Sequence, residues 1–245
     1  PISQTLGADT AAEQGAIFFE NIVNENTTSR RQLIIHEVMG RNCGWLTAAT
    51  AQKYRARLQL RNFYNQNGLN KECWDVHAIY IPEDRIDVSE ESIRLREIMD
   101  RYDCVNVFLS EGAGVDNIIT DIESNGGHVK RDAFGHVRLD EINPGKWYAN
   151  KIADWTNAKK ILVQKSGYFA RSAAPNQNDL LLIDKISEKA VEYALEKRSG
   201  VAGLSDDHNQ EITCIDFTKI KGGKPFDYNQ PWYREMLIEI GQKKG

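Results

Sequence analysis

Short β-branched runs recur along this chain with stretches of helical spacing between them, and no other property limits its fold so closely. "RRQLIIHEV", "DVHAIYIPE", "CVNVFLSEGAG" and "NAKKILVQKSGY" read as strands, the second ended by Pro82. Ala12, Ala16, Phe19, Ile22 and Val23 recur at helical spacing ahead of the first strand, with Asp9 or Thr10 as the cap. Residues 44–60 predict a second helix, 88–101 a third capped by Ser89, 115–126 a fourth, and "NDLLLIDKISEKAVEYALEKR" a long fifth. Residues 200–228 read as strand-like pieces between glycine turns, with a last helix beginning near Pro231. This alternation predicts an α/β fold of three layers, a mostly parallel sheet with helices on both faces. The stretch 124–147, "SNGGHVKRDAFGHVRLDEINPGKW", reads as an exposed insertion within a single unit spanning 1–245.

Composition removes several function classes. A chain of 245 residues that is 41% hydrophobic can bury a substantial core, and a net charge of −4 supplies no global field for nucleic acid or anionic lipid. No apolar run reaches membrane-spanning length, and the start "PISQTLGADTAAEQ" lacks the basic and apolar regions of a signal peptide. Cys43, Cys73, Cys104 and Cys214 are scattered without a C-x-x-C pair, as expected for reduced thiols of a cytoplasmic protein. His36, His77, His128, His136 and His208 show no metal-ligand spacing and read as structural or surface residues.

In sheets of this kind ligands bind at the carboxyl ends of the strands. Met39, Gly40 and Arg41 follow the first strand; Glu111, Gly112 and Gly114 follow the third; Tyr168 and Arg171 follow the fourth. Singly, each has an ordinary explanation: a turn glycine, a solvated arginine, an acid in a first helical turn, a packing tyrosine. Jointly they suit a sugar phosphate, whose phosphate takes guanidinium forks and helix N-terminal N–H groups and whose hydroxyls a carboxylate orients. Other motifs fail. "GAGVDN" has Asn117 where a dinucleotide loop needs glycine, "FLSEG" lacks the leading glycine of a nucleophile elbow around Ser110, and neither a Walker-type phosphate loop nor an H-E-x-x-H zinc box occurs.

"EVMGRNCG" (37–44), "LSEGAG" (109–114) and "SGYFARSAAPNQND" (166–179) resemble, in order, the sugar-phosphate motifs of the 6-phosphofructokinase family, and the likeness runs from "TLGADTAAE" to near Arg198. Tyr168 stands where many ATP-dependent members have histidine, and "SAAPN" replaces their Gly-Gly-Ser-Pro run, so the chain is more similar to the pyrophosphate-dependent branch. The resemblance implies that Met39, Gly40 and Arg41 contact fructose 6-phosphate, with Arg41 also near the transferring phosphoryl group. It implies that Glu111 holds a sugar hydroxyl and that Tyr168 and Arg171 grip the 6-phosphate. It further implies two cations reaching across a subunit boundary in a homodimer or homotetramer: Arg31, with Arg30 as the alternative, and Lys160 or Lys165. The family's Gly-Gly-Asp loop and Thr-x-Asp-x-Asp segment, which place the donor phosphates and Mg2+ and carry the catalytic base, have no counterpart here. The resemblance thus implies the carboxyl-terminal part of such an enzyme, inactive alone, with pyrophosphate or ATP and magnesium handled upstream of Pro1. A non-catalytic sugar-phosphate-binding or regulatory module is the alternative.

Overall fold

Strand β1 (Gln32–Val38) is buried along its whole length, so both of its faces and both of its edges must be covered. The computed structural model describes residues 2–63, 70–131, 138, 142–208, 210–220 and 222–243 and shows how this is done. Strand β1 lies inside a four-stranded, all-parallel sheet of order β2-β3-β1-β4, where β2 is Ala78–Tyr80, β3 Cys104–Ser110 and β4 Lys160–Lys165. Alternate side chains serve opposite layers. Ile34, Val38 and Phe108 meet helices α1 (Ala8–Ile22) and α2 (Trp45–Gln59) through Ala16, Phe19, Ala48 and Tyr54. Leu33, Ile35, Val105 and Val107 meet α3 (Val88–Tyr102), α4 (Val115–Ser124) and α5 (Pro144–Thr156) through Leu95, Met99, Ile118 and Ile152. The chain therefore adopts the three-layer fold that the alternation predicts. A short helix α6 (Gly167–Arg171) and the long α7 (Gln177–Leu195) follow β4. An antiparallel hairpin of β5 (Val201–Leu204) and β6 (Ile212–Ile215) packs on α7, and α8 (Pro231–Glu239) comes last. Among the described residues no helix is long and apolar enough to cross a membrane.

Several local details differ from expectation, each for a long-range reason. Neither Asp9 nor Thr10 caps α1. The cap position is Gly7, at φ 80°, and the N–H groups of Gly7 and Thr10 donate to the Asp179 carboxylate at 3.0 and 2.8 Å. Asp179 is itself in the first turn of α7, where the Asn176 side chain accepts from its N–H at 3.1 Å. Asp9 instead pairs with Lys53 at 2.9 Å. In α3 the cap is Asp87 rather than Ser89, because the Asp87 carboxylate accepts from the N–H groups of Ser89 and Glu90 at 2.9 and 3.1 Å. The expected insertion at 124–147 includes the first turn of α5: Pro144 opens that helix after Asn143 as cap. Residues 132–137 and 139–141 of that stretch, His136 among them, lie outside the described residues, as does the side chain of His208. At the far edge of the sheet, the Gln242 amide accepts from Ile79 N at 2.8 Å and donates to Ile79 O at 2.9 Å, filling the positions a neighbouring strand would take.

Two histidines are buried in this framework as neutral rings. His77 accepts from Asn106 N through Nδ1 at 2.8 Å and donates from Nε2 to Glu72 O at 2.9 Å, and burial lowers its pKa from 6.5 to about 4. His36 stands among Phe18, Phe19 and Phe108, and burial lowers its pKa to about 3. Below pH 6.5 the unfolded chain binds protons that the folded chain refuses. Stability is therefore full above pH 6.5 and falls as the pH drops toward 4, by up to about 1.4 kcal/mol per pH unit for each histidine. Urea unfolding at pH 7.5 and pH 5 should show a clearly lower midpoint at the acid value. An unchanged midpoint would mean that both rings accept protons without unfolding.

Candidate functional site

After β1 the chain turns to α2 on one face of the sheet; after β3 it turns to α4 on the other. Adjacent parallel strands whose connections leave to opposite faces open a crevice at their carboxyl ends. Here that crevice falls between Met39-Gly40-Arg41 and Glu111-Gly112. Backbone and side chains tie the two turns together: Gly40 N donates to Glu111 Oε1 at 3.2 Å, Glu111 N donates to Val38 O at 3.0 Å, and Ser110 Oγ donates to Gly40 O. Gly40 has φ +142°, and a Cβ there would stand 2.4 Å from Cys43 O. A Cβ on Gly112 would stand 1.8 Å from Arg41 O, so the backbones of the two turns are in direct contact at that point. A cleft of about 730 Å3 opens beside them, lined by Arg41, Gly112, Gly114, Arg85, Arg131 and Tyr148 among others. The helix α4 N-terminus, which has no side-chain cap, faces the same space through Val115 and Asp116.

The end of β4 supplies the other wall. Ser166 N donates to Glu37 O at 3.3 Å, and Gly167 starts α6 with its α-carbon against Met39, whose Cγ lies 3.4 Å from where a Cβ would be. Tyr168 (87% exposed) and Arg171 project from this short helix into solvent, and neither line the 730 Å3 cleft. Glu37 escaped the sequence reading. Its carboxylate is buried, with Oε1 2.8 Å from Lys165 Nζ and Oε2 accepting from Gly145 N at 3.1 Å. Lys165 is thereby fastened at the carboxyl end of β4, one residue before the turn that carries Tyr168. The structure thus gathers Met39, Gly40, Arg41, Glu111, Lys165, Tyr168 and Arg171 at one end of the sheet.

Three of the predicted cations sit at the opposite end. Arg31 precedes β1 at φ 51°, and its guanidinium donates to Asp100 Oδ1 at 2.8 Å, to Asn157 O at 3.0 Å and to Thr156 O. Arg30, whose side chain is 92% exposed, pairs with Asp103 at 3.0 Å. Lys160 begins β4 and is exposed. The α2 N-terminus is already occupied. Its Gly44 N–H is not open to an anion, because both oxygens of Glu83 accept from it at 3.0 Å while Glu83 Oε1 also accepts from Phe226 N at 2.7 Å. Burial pushes the neighbouring Cys43 thiol up, which keeps it protonated and unsuited to nucleophilic chemistry. Among the described residues no group of three or more histidine, cysteine or acidic side chains comes together to hold a metal ion. One signal could have found Glu37: an acid inside a strand otherwise suited to burial on both faces must have a partner.

The family model described as phosphofructokinase matches residues 2–194. A pyrophosphate--fructose 6-phosphate 1-phosphotransferase of Methylomonas methanica is 53% identical over the whole of this chain, and its counterpart in Mastigamoeba balamuthi is 48% identical, again over the whole chain. The chain spans 60% of the length of each of these relatives. Among solved structures, a pyrophosphate-dependent phosphofructokinase from Nitrosospira multiformis superposes with a TM-score of 0.58 at 16% identity, covering 98% of this chain and 55% of its own. That likeness concerns the fold.

The Gly112 contact gives a direct check. Gly112→Ala forces a methyl group into the Arg41 carbonyl and should destabilise the chain by about 1–3 kcal/mol. Gly223→Ala, where the nearest neighbour would be Asn42 Cβ at 3.7 Å, should be close to neutral. Thermal melts of the two variants compare them, and equal melting temperatures would contradict the backbone contact described.

Proposed function

The chain belongs to the phosphofructokinase family, and within it we propose that the crevice at the β3–β1–β4 ends is the fructose 6-phosphate site of a pyrophosphate-dependent 6-phosphofructokinase. The reaction moves a phosphoryl group from pyrophosphate to the 1-hydroxyl of fructose 6-phosphate, giving fructose 1,6-bisphosphate, a glycolytic step carried out in the cytoplasm. The observation that carries this reading is the meeting of the Met39-Gly40-Arg41 and Glu111-Gly112 turns, tied through Gly40 N–H and the Glu111 carboxylate at 3.2 Å. Relatives bearing that name and aligning with the whole chain support the donor and the acceptor together.

In this proposal the residues 1–245 form the sugar-phosphate part, and the donor site and the catalytic base belong to the portion of the relatives that this chain does not span. Magnesium bound with the pyrophosphate would supply charge neutralisation in that portion. Within this chain, Tyr168 and Arg171 hold the 6-phosphate, Glu111 orients a sugar hydroxyl, and Gly40 lets the backbone approach the sugar. Phosphoryl transfer demands little besides alignment and compensation of charge on the equatorial oxygens, so Arg41 acts as a fixed cation beside the moving group. Glu37 holds Lys165 ready at the phosphate side of the same site. A homodimer or homotetramer completes the proposal; Arg30, being exposed, is better disposed than Arg31 to reach a second copy.

Arg171→Ala should weaken fructose 6-phosphate binding about 10- to 150-fold, the equivalent of a charge-assisted contact worth roughly 1.5–3 kcal/mol. Calorimetric titration measures this, and an unaltered affinity removes Arg171 from the site. In a protein of the relatives' full length, Arg41→Ala should lower kcat more than it raises KM, because its charge matters most as the phosphoryl group moves. Steady-state kinetics separates the two parameters; a rise in KM alone would make Arg41 a ground-state binder.

A further inference from the structure

At the amino ends of the strands, away from the crevice, two thiols lie side by side. Cys104 opens β3 and is buried, while Cys73 sits half-buried in a single 3-10 turn, Lys71–Trp74. Cys104 Sγ donates to Cys73 O at 3.4 Å, and Cys73 Sγ donates to the carbonyl of Tyr102, two residues before Cys104, at 3.6 Å. The turn is held against the sheet by more than these contacts. Cys73 O also accepts from Asn26 Nδ2 at 2.8 Å and from Asn106 Nδ2 at 3.0 Å, so the backbone of half-buried Cys73 is fixed beside buried Cys104.

We propose that Cys73 and Cys104 form an oxidisable pair, in which Cys73 is the sulfur attacked first by a peroxide and Cys104 is the one that resolves it. The Cys73 thiolate attacks one peroxide oxygen, the O–O bond breaks, and Cys73 becomes a sulfenic acid as the other oxygen leaves as hydroxide, which takes up the proton the Cys73 thiol released and becomes water. Cys104 sulfur then attacks the Cys73 sulfur; the S–S bond forms, the S–O bond breaks, and the hydroxyl leaves with the Cys104 proton as water. In sum, two thiols and one hydrogen peroxide give one disulfide and two waters. The exposure of the two sulfurs fits this order, the accessible one meeting the oxidant. So does their ionisation: the neighbouring Cys104 thiol is the main cause that lowers the Cys73 pKa to about 7, against the opposing effects of burial, Glu72 and Asp103. Cys104 is pushed up, first by the neighbouring Cys73 and then by burial, so it stays a protonated thiol until the sulfenic acid forms. Cys43 and Cys214 are free cysteines outside this pair. The proposal is independent of the phosphotransfer reading.

The test is to treat the reduced native chain with hydrogen peroxide, block remaining thiols with iodoacetamide, and map the peptides by mass spectrometry. The expected product is a Cys73–Cys104 cross-linked peptide that dithiothreitol releases, with Cys43 and Cys214 still alkylated. Cys104→Ser should stop at a sulfenic acid on Cys73 that dimedone traps, and Cys73→Ser should leave Cys104 reduced. Circular dichroism checks that each variant folds; should Cys104→Ser fail to fold, the native cross-link itself and the half-buried Cys73→Ser variant decide. Oxidation of Cys73 to the sulfinic acid with Cys104 still alkylated would overturn the pairing. So would a pair left reduced at peroxide levels that oxidise Cys43 or Cys214, or a cross-link seen only after denaturation.

Discussion

Strand β1 is hydrogen-bonded along both edges and covered on both faces, and the rest of the molecule is arranged around that condition. A polar side chain on such a strand has no solvent to turn to. His36 meets the condition by remaining neutral among aromatic rings. Glu37 meets it differently, taking an ammonium group from β4 and an N–H group from the start of α5. The charge that burial makes expensive thus becomes the fastening between β1, β4 and the layer that carries α5. That fastening lies directly below the turn bearing Met39, Gly40 and Arg41. Rigidity of the candidate site and satisfaction of a buried carboxylate are here one problem with one solution.

A second carboxylate does comparable work on the other side of the sheet. Asp179 receives the first N–H groups of α1 while its own N–H is capped by Asn176, so the beginnings of two helices far apart in sequence are joined at one point. Hydrogen bonds to a charged acceptor are worth roughly 1.5–3 kcal/mol, enough to outweigh the ordering of the few residues involved. Because α7 follows α6 within a short turn, the helix that presents Tyr168 and Arg171 is indirectly moored to α1 as well.

The parts of this structure that were legible in the sequence are those governed by local pattern. Burial on both faces produces β-branched runs, so β1 and β3 and the turns after them could be read directly, and with them Met39, Arg41 and Glu111 as neighbours. The parts that were not legible depend on contacts between distant residues. Ser89 has the chemistry of a cap, yet Asp87 two positions earlier does the capping because a carboxylate accepts from two N–H groups at once. Thr10 has it too, yet Asp179 supplies the acceptor from the far side of the fold. The Gly44 N–H at the start of α2 is occupied by Glu83, which follows β2 and lies far from Gly44 in sequence. Ser110 lacks the setting of a hydrolase serine, and its hydroxyl donates instead to the Gly40 carbonyl. Spacing cannot reveal which of several chemically competent groups arrives first.

The Gln242 side chain closes one border of the sheet by copying, with a single amide, the donor and acceptor of a strand residue. Strand β2 is only three residues long, so one such mimic meets much of its outward hydrogen-bonding demand. Strand β4, six residues long and paired on one side alone, has no equivalent among the described residues. The sheet is consequently polar in the directional sense: it has a sealed border and a growing border. Any further strand, whether from a longer chain or from another molecule, would be admitted at β4 and refused at β2, and the lysines at the two ends of β4 would be the first groups it met.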